Sequence, residues 1–326
     1  MIFTRTPLRI SLVGGGTDVP AFYEKTGGCV VSFTINKHVY VAVNPKFDGR
    51  YRVSYSQTEN VDSVKDIRHN LVRETLLSYG GDRIDGLEVV SVSDIPGEGS
   101  GLGSSSSFTV GLVNALQAHI GTPISNLTAK EEFANFAFGI ERRSNTSIGK
   151  QDHYAAAFGG LNVILFDRNG VTVQPISWLD DMNTHFLLLW TGITRAANEI
   201  LSMQENRLRN VPLSRVAGEE MADIAKNMAE HLMNGDTKEV GYFLHENWRR
   251  KRMMNPNTTS SHIDELYDKA MSNGAEGGKL CGAGGGGFLL FWAPPHTHER
   301  IVEATGLRKI DFEFEPEGSK VIYNGN

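Results

Sequence analysis

Pro96-Gly97-Glu98-Gly99-Ser100-Gly101-Leu102-Gly103-Ser104-Ser105-Ser106-Ser107-Phe108 sets four glycines at alternate positions and follows them with four serines. Just before it, Gly86-Leu87-Glu88-Val89-Val90-Ser91-Val92-Ser93 reads as a strand of largely alternating apolar residues. Just after it, Phe108, Leu112, Ala115 and Leu116 recur at helical spacing. The segment is therefore strand, glycine loop and helix start. Free backbone N–H groups and the positive end of a helix dipole meet there, and phosphate is the commonest guest of such a place. The serines can cap the helix, donate to phosphate oxygens or hold a metal through a hydroxyl. A flexible Gly/Ser linker is the competing reading, and the amphipathic helix that follows at once argues against it.

Working outward, Ile2 to Val13 is extended and apolar, with Arg5 and Arg9 inside it, and it ends in Gly14-Gly15-Gly16-Thr17-Asp18. That loop either wraps a ligand and presents Asp18 or is a tight turn. Strands are expected over 30–35, 38–43 and 51–54, with 34–37 turning between the first two, and a helix over 62–79. A capping box, Thr128-Ala129-Lys130-Glu131, starts another helix that runs to Glu141-Arg142-Arg143. A polar loop, 144–150, delivers Gln151-Asp152-His153-Tyr154 to a short helix, and a hairpin spans 161–176. A soft boundary falls near 177–183, dividing the chain into residues 1–180 and 181–326. The second part alternates strands and helices, with long helices near 213–233, 236–250 and 260–273, a second glycine loop at 282–287, and final strands near 311–314 and 320–323. This is an α+β pattern.

The 326 residues are 40% hydrophobic and 21% charged, with a formal net charge of −6. That balance describes an ordinary globular protein and lacks the basic footprint of a nucleic-acid binder. No apolar run reaches the ~20 residues of a membrane span, and the N-terminus has no signal-peptide pattern, so cytoplasmic residence is expected. Cys29 and Cys281 make neither a disulfide framework nor a zinc site.

Several phosphate-binding patterns fail. Gly149-Lys150 and Gly278-Lys279 are followed by Gln and Leu, so neither completes a Walker A loop. The run 282–287 fits Gly-x-Gly-x-x-Gly, but the strand-like Phe288 to Trp292 follows it where a Rossmann site needs a helix. Protein-kinase signatures are absent. What remains is another kind of phosphate loop with carboxylates at helix or loop ends. Glu141 either shares Mg²⁺ with a serine hydroxyl or pairs with the arginines beside it. Asp152 either caps its helix or does chemistry, and His153 reads as a packed neighbour.

Four segments together resemble, in order, the signatures of the galactokinase–homoserine kinase–mevalonate kinase–phosphomevalonate kinase (GHMP) superfamily. They are Pro7-x-Arg9-Ile10-x-Leu12-x-Gly14-Gly15-Gly16-Thr17-Asp18, Pro96-x3-Ser100-Gly101-Leu102-Gly103-Ser104-Ser105, Gly149-Lys150-Gln151-Asp152 and Cys281-Gly282-Ala283-Gly284-Gly285-Gly286-Gly287. The resemblance spans nearly the whole chain. The triple-glycine first motif is similar to that of bacterial D-glycero-D-manno-heptose 7-phosphate kinases, with fucokinase domains as close relatives. Galactokinases usually carry Glu-His where this chain has Gly15-Gly16.

The resemblance implies a two-domain fold. Its N-terminal part would be a mixed sheet with a left-handed βαβ unit, and its C-terminal part a ferredoxin-like sandwich. It implies an ATP-dependent sugar kinase acting as monomer or homodimer, with no nucleic-acid or membrane partner. Pro96, Gly97, Gly99, Ser100, Gly101, Leu102, Gly103, Ser104, Ser105 and Ser106 would hold ATP. Ser104, Ser105 and Glu141 would hold Mg²⁺. Asp152 would contact the accepting hydroxyl as base or orienting carboxylate, and Arg9 beside it would favour its charged form. Lys150 either adds positive charge at the γ-phosphate or faces solvent. Asp18, with Gly15, Gly16, Thr17, Gly284 and Gly285, would line the sugar site. Arg195, in a turn at a helix start, is the first candidate for a phosphate already on the sugar. A sugar or nucleotide sensor on the same fold is the non-enzyme alternative, and the intact Asp152, Glu141 and serine run argue against it.

Overall fold

The computed structural model describes residues 1–81, 84, 86–95, 99–122, 127–194 and 197–325. Its strands are β1 (Ile2–Val13), β2 (Gly28–Pro45), β3 (Tyr51–Ser54), β4 (Thr58–Val61), β5 (Leu87–Ser93), β6 (Leu161–Phe166), β7 (Val171–Ile176), β8 (Phe186–Trp190), β9 (Gly277–Leu280), β10 (Phe288–Trp292), β11 (Arg308–Lys309) and β12 (Lys320–Asn324). Its helices are α1 (Pro20–Thr26), α2 (Asn70–Ser78), α3 (Ser104–His119), α4 (Leu127–Ser144), α5 (Gln151–Phe158), α6 (Asp180–His185), α7 (Ala197–Asn210), α8 (Pro212–Met233), α9 (Val240–Met254), α10 (Ser261–Ser272) and α11 (His298–Thr305).

An 8-stranded sheet runs β12-β1-β2-β5-β3-β4, with β6 and β7 also joined to β2. Strand β2 carries this arrangement because it is 18 residues long. Its first part pairs with β6 and its second with β5, while β1 lies along both. Sequence spacing suggested a turn inside β2, but the chain stays extended. Pro7 pairs with His38 and Leu8 with Ile35, so Asn36 and Lys37 bulge opposite a residue that has no N–H to offer the ladder. The parallel pair β3–β5 is connected through α2, the crossover where a left-handed turn is expected. The helix expected over 62–79 is a 3₁₀ turn, Val64–Asp66, followed by α2. Helix α4 is already helical at Leu127, so Thr128 lies within it and is not its N-cap.

Helix α3 is buried on nearly every face, from Ser104 to Ala118, and packs against β1 and β2. A helix buried on nearly every face sits in a core, and this one brings its N-terminal serines to the cleft. The second sheet is antiparallel, in the order β11-β8-β10-β9, with Trp248, Ile263, Phe291 and Ile301 in the core beneath it. Numbered within that unit the order is 4-1-3-2, which is the ferredoxin-like arrangement. One segment assigned to the second part by sequence behaves otherwise. The tail crosses back, Phe314 bridges Ile35, and β12 pairs with β1. No helix among the described residues is long and apolar enough to cross a membrane.

Candidate active site

Arg9 and Asp152 meet at the start of α3. Strand β1 supplies Arg9, and its backbone N–H donates to Leu102 O at 3.0 Å, which ties the glycine loop to the strand. Arg9 Nε donates to Asp152 Oδ1 and Nη2 to Oδ2, both at 2.7 Å, while Nη1 donates to Gly101 O at 2.7 Å. The Arg9 side chain is 5% exposed and that of Asp152 22%, so the pair is a clamped fork whose carboxylate faces the cleft. Such bidentate charge-assisted bonds are the strong kind. Each carboxylate oxygen keeps lone-pair capacity for a hydroxyl.

Gly103 explains why the loop can sit on this pair. It has φ +77°, a left-handed backbone, and a Cβ there would lie 3.3 Å from both Arg9 Cγ and Asp152 Oδ2. Gly103 caps α3 without a side-chain bond. The first N–H groups of the helix are thus offered to a ligand. The second glycine loop forms the neighbouring wall. A Cβ on Gly101 would meet Cys281 O at 2.6 Å, and one on Gly282 would meet Gly101 Cα at 2.5 Å, so backbone packs on backbone.

The serines divide their work. Ser100 and Ser104 bond each other at 3.1 Å. Ser105 Oγ donates to Glu141 Oε1 at 2.7 Å and Ser106 Oγ to Oε2 at 2.9 Å. His153 Nε2 lies 2.7 Å from the same Oε2, and its ring, fully buried, stands edge-on to Phe138. Burial pushes the Glu141 carboxyl up, but His153 and the two hydroxyls outweigh it and hold the pKa below its ordinary value. Glu141 is therefore held toward the cleft, not spent on Arg142 or Arg143.

Asp18 is buried and anchored on both oxygens. Oδ1 accepts from Gly16 N at 2.8 Å and Gln151 Nε2 at 3.1 Å, and Oδ2 accepts from Gln151 N at 3.1 Å. Burial raises its pKa, with the charge of Asp152 next in size. Two buried polar atoms on the cleft wall, Ser11 Oγ and Gln151 Oε1, have no hydrogen-bond partner within the protein.

The cleft is lined by Arg9, Asp18, Asp152, Glu141, Ser104 to Ser106, and the glycines of the first loop from residue 99. Other expected residues fall elsewhere. Lys150 does not line it. Its ammonium sits 5.4 Å from the ring centroids of both Tyr23 and Phe138. Lys150 is the N-cap of α5 and its side chain turns toward Tyr23 and Phe138, so proximity to Asp152 in sequence is not proximity in space. Thr17 bonds Cys29 O at 3.0 Å and is fully buried, a brace for the loop. Leu102 is likewise buried. Gly285 N donates to Thr258 O at 2.8 Å, and Gly284 packs on the same residue, so Gly282 and Ala283 line the cleft in their place. Pro96, Gly97 and Arg195 lie outside the described residues.

Two cations on the wall escaped the sequence. Lys251 Nζ donates to Gly15 O at 2.9 Å and Gln204 Oε1 at 2.7 Å, and Lys279 Nζ to Ser11 O at 2.6 Å. Burial lowers their pKa to about 8 and about 7 respectively. Lys251 sits in the run Arg249-Arg250-Lys251-Arg252, which reads as a solvated face. Only the buried side of α9 singles it out.

A helix start with free N–H groups, a clamped carboxylate and a hydroxyl-held glutamate match what a phosphoryl-transfer site requires. Known proteins agree. Residues 66–160 match the GHMP kinases N terminal domain and residues 225–305 the GHMP kinases C terminal domain. The chain is 31% identical to the D-glycero-alpha-D-manno-heptose 7-phosphate kinase of Campylobacter jejuni subsp. jejuni, over 98% of each chain. It is 27% identical to the L-fucokinase/L-fucose-1-P guanylyltransferase of Bacteroides fragilis, over 92% of this chain and 35% of that one. A crystal structure described as a D-glycero-D-manno-heptose 1-phosphate kinase from Bacteroides thetaiotaomicron superposes with a TM-score of 0.77 at 25% identity, covering 99% of this chain and 100% of that one. The chain belongs to the GHMP kinase family. It is an ATP-dependent small-molecule kinase.

Proposed function

We propose that this kinase transfers the γ-phosphoryl group of ATP to the C1 hydroxyl of D-glycero-D-manno-heptose 7-phosphate. The product would be the 1,7-bisphosphate, a precursor for surface polysaccharide. The observation that carries the chemistry is the Arg9–Asp152 fork held against Gly103 at the N-terminus of α3. The acceptor is supported by similarity to the Campylobacter heptose phosphate kinase over almost the whole of both chains. The fucokinase match covers only part of a longer protein.

In this reading the loop from Gly99 to Ser106, with Pro96 and Gly97 before it, holds the ATP phosphates. The sugar C1 hydroxyl donates to Asp152. Its oxygen forms the bond to the γ-phosphorus, the bond from that phosphorus to the ADP oxygen breaks, and Asp152 takes the hydroxyl proton. Arg9 keeps the carboxylate aimed throughout. An anomeric hydroxyl is more acidic than an ordinary alcohol, so one carboxylate suffices. Asp18, with Gly15 and Gly16, holds sugar hydroxyls, and Ser11 Oγ and Gln151 Oε1 are the unspent partners for others.

Ser104, Ser105 and Glu141 would hold Mg²⁺. The donor set fits that ion, since it offers hard oxygens and a single carboxylate, and Mg²⁺ keeps waters and phosphate oxygens for its remaining positions. When bound, it neutralises charge on the transferring phosphates. We place the activity in the cytoplasm, in a monomer or homodimer. ADP release with the heptose 7-phosphate, L-fucose, galactose and mevalonate, measured side by side, tests the acceptor. Turnover of the heptose phosphate is expected. Turnover of L-fucose without it would replace the proposal by the fucokinase reading.

A further inference from the structure

Lys251 is 7% exposed and projects from α9 into the cleft wall. Its two hydrogen bonds go to neutral oxygens, Gly15 O and Gln204 Oε1. Asp18 is the carboxylate whose charge acts on it, but neither of its hydrogen bonds goes to that group. An ammonium has three N–H donors, so one is left over. Burying a charge that makes no direct ion pair is costly. A tether from α9 to the Gly15 loop could be made by a neutral side chain without that cost.

The surroundings are shaped to the ammonium. Gly16 has φ +108°, and a Cβ there would lie 2.9 Å from Lys251 Nζ and 3.0 Å from Gln204 Nε2. The loop that presents Asp18 thus runs directly against this cation. Gln204 and Leu201 of α7 line the same cleft. Lys251 belongs to the wall that carries the acceptor loop, which follows β1, while the nucleotide loop joins β5 to α3.

We infer that Lys251, held by Gln204, is the receptor for the phosphate that the acceptor already carries. This assignment rests on the acceptor proposed above. It replaces Arg195 as the candidate for that role and gives the unspent N–H and the buried charge one common partner.

The test compares Lys251→Met and Lys251→Arg with the wild type on two acceptors, the heptose 7-phosphate and the same heptose without phosphate. Lys251→Met should raise KM for the 7-phosphate by about tenfold or more, the effect of one lost charge-assisted hydrogen bond. KM for ATP and for the unphosphorylated heptose should stay within about threefold. Lys251→Arg should recover much of the loss. An equal rise for both acceptors would make Lys251 a mere tether, and a rise confined to ATP would assign it to the nucleotide; either overturns the inference. Should Lys251→Met fail to fold, Gln204→Leu, which removes the oxygen holding the ammonium, must show the same selective rise, and no selectivity there counts against it. Absence of heptose 7-phosphate turnover by the wild type would instead refute the acceptor reading.

Discussion

Asp18 occupies the space that a side chain at residue 149 would need: a Cβ on Gly149 would lie 1.9 Å from Asp18 Oδ2. Two distant motifs are thereby locked together, since Lys150 N also donates to Asp18 O at 3.1 Å. Gly149→Ala must push Asp18 away from its place. Displacement of a positioning group by about 1 Å can cost about 10²-fold. We expect kcat/KM for the acceptor to fall by about that factor while KM for ATP holds. Unchanged acceptor kinetics would show that Asp18 does not touch the sugar.

Lys150→Met should leave kcat nearly intact, because the ammonium lies over Tyr23 and Phe138 and outside the cleft. The loss should appear in thermal denaturation, at about 0.5–1 kcal/mol, the usual scale of a cation–π contact. A collapse of kcat with normal folding would return Lys150 to the transferring phosphoryl group.

Glu141→Gln keeps shape and removes charge. The Mg²⁺ concentration for half-maximal rate should rise at least about tenfold. Stability adds a second readout. The folded pKa of Glu141 is lowered, so its contribution is present above the unfolded value of about 4.3 and is lost as pH falls through the folded one. Acid titration of the wild type should therefore lose more stability below about pH 4 than the variant does. Parallel acid curves would remove Glu141 from that balance.

Lys279 is also shifted down, but there burial penalises the ionised form. Its folded pKa, about 7, lies below the unfolded value of about 10.4. The unfolded chain binds more protons between those values, so stability from this group rises with pH across that window. The penalty is full below about pH 7. Lys279→Met should gain most, relative to the wild type, near pH 7, and the difference should shrink toward pH 10. A difference in Tm that does not change from pH 7 to 10 would mean that burial is not perturbing Lys279.

Much of this site is legible in the sequence because backbone chemistry writes itself there. Alternate glycines before a helix announce a phosphate loop. Glu141 and Asp152 stand out because each sits at a helix end where a carboxylate has a use. Contacts made only by tertiary packing are silent. Lys251 hides in a basic run, and Lys279 hides in a strand whose burial depends on the second sheet. Gln151 carries an orphaned oxygen that nothing in its sequence neighbourhood marks. Lys150 misleads because adjacency along the chain does not bring its ammonium, which lies over Tyr23 and Phe138, into the cleft beside Asp152. In the fold, the alternation of β5 and the apolar runs of β1 and β8 are visible. The return of β12 to β1 is not, because a terminal strand's partner is chosen by an open sheet edge and not by its own pattern.

The most direct measurement is ADP formation by Asp152→Asn with ATP, Mg²⁺ and the heptose 7-phosphate, beside a nucleotide-binding titration of the same variant. Asn keeps the shape but cannot take the hydroxyl proton as a carboxylate can. We predict nucleotide affinity close to wild type and a fall in kcat of about 10²-fold or more, the scale of a lost general base. Turnover near the wild-type rate with intact nucleotide binding would contradict the assignment of Asp152 as the group that meets the acceptor hydroxyl.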